Sequence, residues 1–139
     1  MAALTGHHTS HNFLAGTTLL TTTSQFRCVA LTATSGSPGT VGLANTTTGV
    51  VIGINQTYLT AGASAVCQVA THGFSKAICA ASVTAGDVIV AGVGGGVETF
   101  AAAAAVTTTA FVFILGRALE TGSTNTNIGV FIQPQFIER

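Results

Sequence analysis

From Gln25 onward the chain alternates apolar and polar positions in short runs. In Gln25–Leu31 (QFRCVAL), Phe26, Cys28 and Ala30 share one face while Arg27 and Val29 take the other. A period of two with aromatic and β-branched residues marks a strand. Further runs of the same kind follow at Val41–Ala44, Val50–Ile54, Ala65–Ala70, Phe74–Cys79, Asp87–Ala91, Phe111–Leu115 and Ile128–Ile132, and Val97–Phe100 also reads as strand. About eight to nine short strands at this spacing predict an all-β fold, a compact sandwich or barrel. Helix support is weak, because Thr, Val and Gly are poor helix formers. Ala101–Ala105 spans one turn and leads into a Thr run, so it reads as strand end and loop.

Turn chemistry separates the runs. Thr34-Ser-Gly-Ser-Pro-Gly39 combines a fixed φ at Pro38 with permissive glycines. Gly53, Gly62, Gly73, Gly86 with Asp87, and Gly116 are the expected structural turns. Asp87, directly after Gly86, is expected to cap its turn by accepting backbone N–H groups. A faint echo is present: Ile52-Gly53 leads through Ala61-Gly62 to AVCQV, and Leu115-Gly116 leads through Thr121-Gly122 to IGVFI. Two pseudo-symmetric halves produce such an echo, and so does any glycine-rich β chain.

Residues 1–24 differ. They are rich in Thr, His and Gly, and their apolar residues come as islands: Leu4, then Phe13 and Leu14, then Leu19 and Leu20. The expectation is an extended N-terminal arm over 1–24, gripping a partner through those five residues, ahead of a β-rich domain over 25–139. Such an arm is poorly ordered unless tied down.

Candidate chemistry is thin. Gly92-Val-Gly-Gly-Gly96 resembles a phosphate loop, but position 97 is Val, no Lys is near and a strand follows where a helix is required. It reads as a hairpin connection. His7, His8 and His11 share no acidic or cysteine partner, so a metal site lacks its supporting shell. His72, Ser75 and Asp87 evoke a hydrolase triad without a nucleophile elbow. The four carboxylates are well separated and form no acid–base pair. The reading is not an enzyme, with no cofactor and no metal. Cys28, Cys67 and Cys79 are odd in number and distant in sequence, and are expected as reduced core thiols. Residues 1–12 lack a basic start followed by an apolar run, so the chain is expected to be made in a cytoplasm.

Composition sharpens this. Only 6% of the 139 residues are charged, against about 25% in an ordinary soluble domain. The net charge is zero and mean hydropathy is +0.62. No basic cluster is available for nucleic acid, and no apolar run reaches the roughly 20 residues of a membrane span. A surface this poor in charge is expected to be covered by partners.

The order of turns resembles that of the small capsid cement, or head decoration, proteins of tailed bacteriophages. The resemblance runs through Ile52-Gly53-Ile54, Thr60-Ala-Gly62, Val66-Cys-Gln-Val69, Gly73-Phe74, Thr84-Ala-Gly-Asp-Val88, Gly94-Gly-Gly96, Leu115-Gly-Arg-Ala118 and Ile128-Gly-Val-Phe-Ile132, about three quarters of the chain. It implies a β fold on the outer capsid surface that binds the major capsid protein, clamps adjacent subunits and self-associates, as a trimer by analogy. The long arm and the low charge depart from that family's pattern. The alternatives are another virion subunit (tail, spike or shell) or a carbohydrate- or receptor-binding module. The latter is poorly equipped for sugar stacking, with Tyr58 and eight Phe but no Trp.

Overall fold

The computed structural model describes residues 8–16, 24–32, 39–44, 50–59, 66–100 and 111–138. Among them are nine strands: β1 (His8–Ala15), β2 (Cys28–Leu31), β3 (Thr40–Leu43), β4 (Val51–Asn55), β5 (Val66–Ile78), β6 (Val88–Ala91), β7 (Val97–Thr99), β8 (Phe111–Ala118) and β9 (Asn127–Glu138). They form one sheet in the order β1-β3-β2-β4-β5-β9-β8-β6-β7, with β1 also paired to β5. That extra pairing closes β1-β3-β2-β4-β5 into a five-stranded barrel, so the all-β expectation holds in its barrel form. Closure removes the exposed strand edges that an open sheet leaves.

The long strand β5 is shared. Its first half, Val66–Gly73, pairs with β1, and Val69 and Ala70 also pair with β4. Its second half, Gly73–Ile78, pairs with β9. Beyond it, a parallel bridge joins Cys79 to Val97, and the Ala80 N–H donates to the Val97 carbonyl at 2.7 Å. The ring β5-β9-β8-β6-β7 is thereby drawn into a second, less completely paired barrel.

The two barrels repeat one plan. Strands β1-β2-β3-β4 and the first half of β5 correspond to the second half of β5 and β6-β7-β8-β9. Backbone bonds match pair by pair. Phe26 N–H donates to Asn55 O at 2.7 Å, and Gly86 N–H to Ala118 O at 2.8 Å; Asn55 N–H donates to Arg27 O, and Ala118 N–H to Asp87 O, both at 2.9 Å. Gln56 N–H to Gln68 O and Leu119 N–H to Gly129 O match at 2.8 Å, and Gly16 N–H to Val41 O (2.8 Å) matches Ala80 N–H to Val97 O. The echo in the sequence is therefore a repeat of topology.

Each barrel buries equivalent positions. Val29, Val41, Cys67 and Val69, with Phe13, Ala15 and Ile52 packed against them, belong to the first interior. Ile89, Val97, Ile128 and Val130, with Ala77, Cys79 and Leu115, take the same places in the second. Cys28, Val51, Ile54 and Ala70, on the outer wall of the first barrel, belong to the same buried cluster as the second interior, with Phe26 and Ala30 packed against it. This explains why both faces of Cys28–Leu31 are apolar: one fills a barrel and the other seals the joint between barrels.

Three expected turns are corrected. Gly73 does not divide two strands. It lies buried inside β5 with φ 98°, paired to both His8 and Ile132, where β1 hands over to β9. Gly53 and Gly116 are likewise interior to β4 and β8. Both are glycines because a neighbouring strand comes too close for a side chain, not because the chain reverses. Gly62 and the Ala101–Ala105 run lie outside the described residues.

Candidate functional site

The residues singled out for chemistry are spent on structure. On β5, His72 is exposed and Ser75 is buried, so they take opposite faces of the strand. The His72 ring meets Phe131 edge-on at 5.7 Å. Ser75 Oγ donates to the Lys76 carbonyl at 3.1 Å and accepts from Gln56 Nε2 at 2.8 Å. Asp87 Oδ2 accepts the Thr84 N–H at 2.8 Å. It clamps the turn before β6, and the three residues form no relay. Among the described residues, no three His, Cys, Asp or Glu side chains group in a way that could hold a metal.

The glycine-rich stretch is the β6–β7 connection. A single 3-10 turn, Val93–Gly95, bridges two paired strands. The Gly92 N–H donates to the Gly96 carbonyl at 2.6 Å and the Gly95 N–H to Gly92 at 3.2 Å. These amides are used internally, so they do not present a phosphate cradle. Arg27 Nη1 donates to the Gly94 carbonyl at 2.8 Å, tying the first barrel to this loop of the second.

All three cysteines are free and buried. Burial in the apolar joint pushes the Cys28 thiol up to about 12, and the thiols of Cys67 and Cys79 are raised for the same reason. Thiols held neutral behave as small apolar groups. Partial burial also raises Glu98, which lies beside Gly92.

The expected arm takes its place in the fold. Residues 8–15 are β1, paired antiparallel to β5 from His8 to Leu14 and parallel to β3 at Leu14 and Ala15. Pairing to a sheet is what ties down a terminal segment of weak pattern. Phe13 turns into the first barrel. Leu14 points out and is 50% exposed. His8 and His11 are exposed on the same strand. Leu4, Leu19, Leu20 and His7 lie outside the described residues.

What the fold assembles is a surface. Leu14 faces Val66 directly across the β1–β5 ladder, and Val66 is 58% exposed. Leu14 also pairs with Thr40 on this outward face, whereas Leu31, 56% exposed, pairs with the inward-facing Val41 and so lies on the other face of the sheet. Charge is distributed unevenly about this wall. Arg27 is the one charged residue among positions 1–75; the other seven charged residues follow from Lys76 onward. Arg27 points to the second barrel. The first barrel therefore presents an outer surface of Thr, Ser, Gln, Asn, His and apolar side chains. Val66 was not singled out in the sequence, although the alternation Val66-Cys-Gln-Val69 places it outward with Gln68.

No family model and no curated protein matches the chain. Among solved structures, it is similar to the crystal structure of the N base of head fiber gp8.5 from bacteriophage phi29, with a TM-score of 0.65 and 13% identity, covering 91% of this chain and 95% of that one. At that identity the likeness is one of fold, and it extends through both barrels.

Proposed function

We propose that this protein is a structural component of a bacteriophage virion, seated on the head as a capsid cement or decoration protein. It binds the outer surface of the shell, bridges adjacent major capsid subunits and works as a homo-oligomer; it performs no catalysis. The observation that carries the reading is the fold likeness, over nearly the whole chain, to the base of a phage head fibre. The charge-poor first barrel supports it, since surfaces buried in stable assemblies lose charge at their centres. Many small grips repeated over a lattice add to an avidity that no single contact supplies.

A second reading, that the chain is the base of a head-attached fibre, is favoured by the description of the same neighbour. Both readings place the chain on the head.

Co-sedimentation tests the proposal. Purified protein is mixed with shells assembled from the major capsid protein of the same virus. Saturable binding at a fixed ratio to shell subunits is expected. Failure to pellet with intact shells contradicts it.

A further inference from the structure

We propose that the outer wall of the first barrel around Leu14 and Val66 is the surface through which copies of this chain associate with one another. This deepens the proposed oligomeric role and rests on it.

The repeat supplies an internal control. Leu14 and Val66 form one cross-strand pair in the first barrel, and Ile78 and Asn127 form the corresponding pair in the second. The backbone plan is the same, so the fold does not require apolar residues there. In the second barrel, Ile78 is half-buried and its partner is a polar, exposed Asn127. In the first barrel both partners are apolar and at least half exposed.

The missing charge argues for a second copy as the occupant. Contacts between identical subunits bring like residues close together about a symmetry axis. A charged wall would meet its own sign there, whereas a wall without Lys, Arg, Asp or Glu meets no such penalty. Positions 1–75 provide that wall, since the single charge among them is held by Gly94 of the second barrel. The seven later charges leave the second barrel less suited to self-contact.

The test compares the mass in solution of the full chain with that of a Leu14→Thr/Val66→Asn double variant, by sedimentation velocity over a range of concentrations. Both substitutions are uncharged and compatible with strands, and Val66→Asn copies the residue found at position 127. A control, Asn127→Val with Ile78 unchanged, creates the apolar pair on the second barrel. Circular dichroism and a thermal melt establish that each variant is folded. The native chain is expected to sediment as a discrete oligomer, and the double variant to dissociate at concentrations at least about tenfold higher. The control is expected to keep the native assembly. Should the double variant fail to fold, Val66→Asn alone takes its place with the same expected direction. A native chain that is monomeric throughout overturns the oligomeric role itself. A native oligomer unaffected by these substitutions overturns this surface, and a variant that keeps its oligomer while losing shell binding reassigns the wall to the capsid.

Discussion

Gly53 and Gly116 hold the same position in successive barrels. A Cβ on Gly53 would collide with the carbonyl of Ala70, and one on Gly116 with that of Phe131. Ala70 and Phe131 are themselves equivalent, pairing with Ile54 and Arg117. Relief would require moving a backbone strand, which close-packed barrels resist. Gly53→Ala and Gly116→Ala should therefore each lower stability by more than about 3 kcal/mol. Gly39 has φ 79° with open space around it, so Gly39→Ala should cost only about 1 kcal/mol. Urea unfolding of the three variants checks the contrast.

The turn before β2 repeats the turn before β6, yet one carries Phe26 where the other carries Gly86. Phe26 has φ 63° and Gly86 has φ 94°. Phe26 tolerates this conformation because its ring packs into the joint between barrels, with Lys76 Nζ 5.9 Å from the ring centroid. Phe26→Ala keeps the backbone strain and loses the packing. A destabilisation of about 2–3 kcal/mol is expected, measured by denaturant midpoint.

Different side chains hold these two turns. Buried Asn55 donates to the carbonyls of Ser24 (3.2 Å) and Thr57 (3.0 Å) and accepts the Thr57 N–H at 3.0 Å. Asp87 holds the second turn by a single exposed bond to Thr84. Removing Asn55 strands buried polar groups, whereas removing Asp87 returns an N–H to water. Asn55→Ala should cost roughly 2–3 kcal/mol and Asp87→Ala about 1 kcal/mol or less. Thermal melts of the pair establish the order.

The thiols predict both reactivity and pH dependence. In native buffer, Cys28, Cys67 and Cys79 should react with a disulfide reagent only as fast as the barrels open. Each folded thiol is raised above its unfolded value, so folding favours the protonated form. This contribution to stability is complete below about pH 9. It is lost as pH rises from there toward about 12, the value for Cys28. Stability should fall over that window, and Cys28→Ala should flatten part of the fall. Equal slopes in the two proteins would remove Cys28 from the account.

Most strands were legible because they alternate or run apolar between small-residue turns, as in Asp87–Ala91 and Phe111–Leu115. What the alternation hid was connectivity. Gly73 reads as a break because glycine punctuates strands, but here it lets β5 pass from one barrel to the next. The run read as Ile128–Ile132 is longer in the fold, since β9 continues through Pro134 to Glu138. β1 gave no sustained period, since Phe13 and Ala15 alone send apolar side chains inward and the backbone supplies the rest. The wall at Leu14 was half legible: Leu14 stood out as an apolar island, but Val66 is identified only by the ladder that places it opposite.

The same ladder changes what truncation means. Deleting residues 1–24 removes a wall of the first barrel, exposing the interior that Phe13 helps to cover. The truncated chain should lose cooperative unfolding of the first barrel, seen as early loss of amide protection in β2–β4, rather than losing partner contacts alone.

The most direct test of the central claim is a density map of the assembled virion that contains this chain, at a resolution that traces β5. The account predicts two barrels per chain on the outer face of the head, lying over junctions between shell subunits. A chain found in the tail or inside the shell, or one missing from the particle, contradicts it.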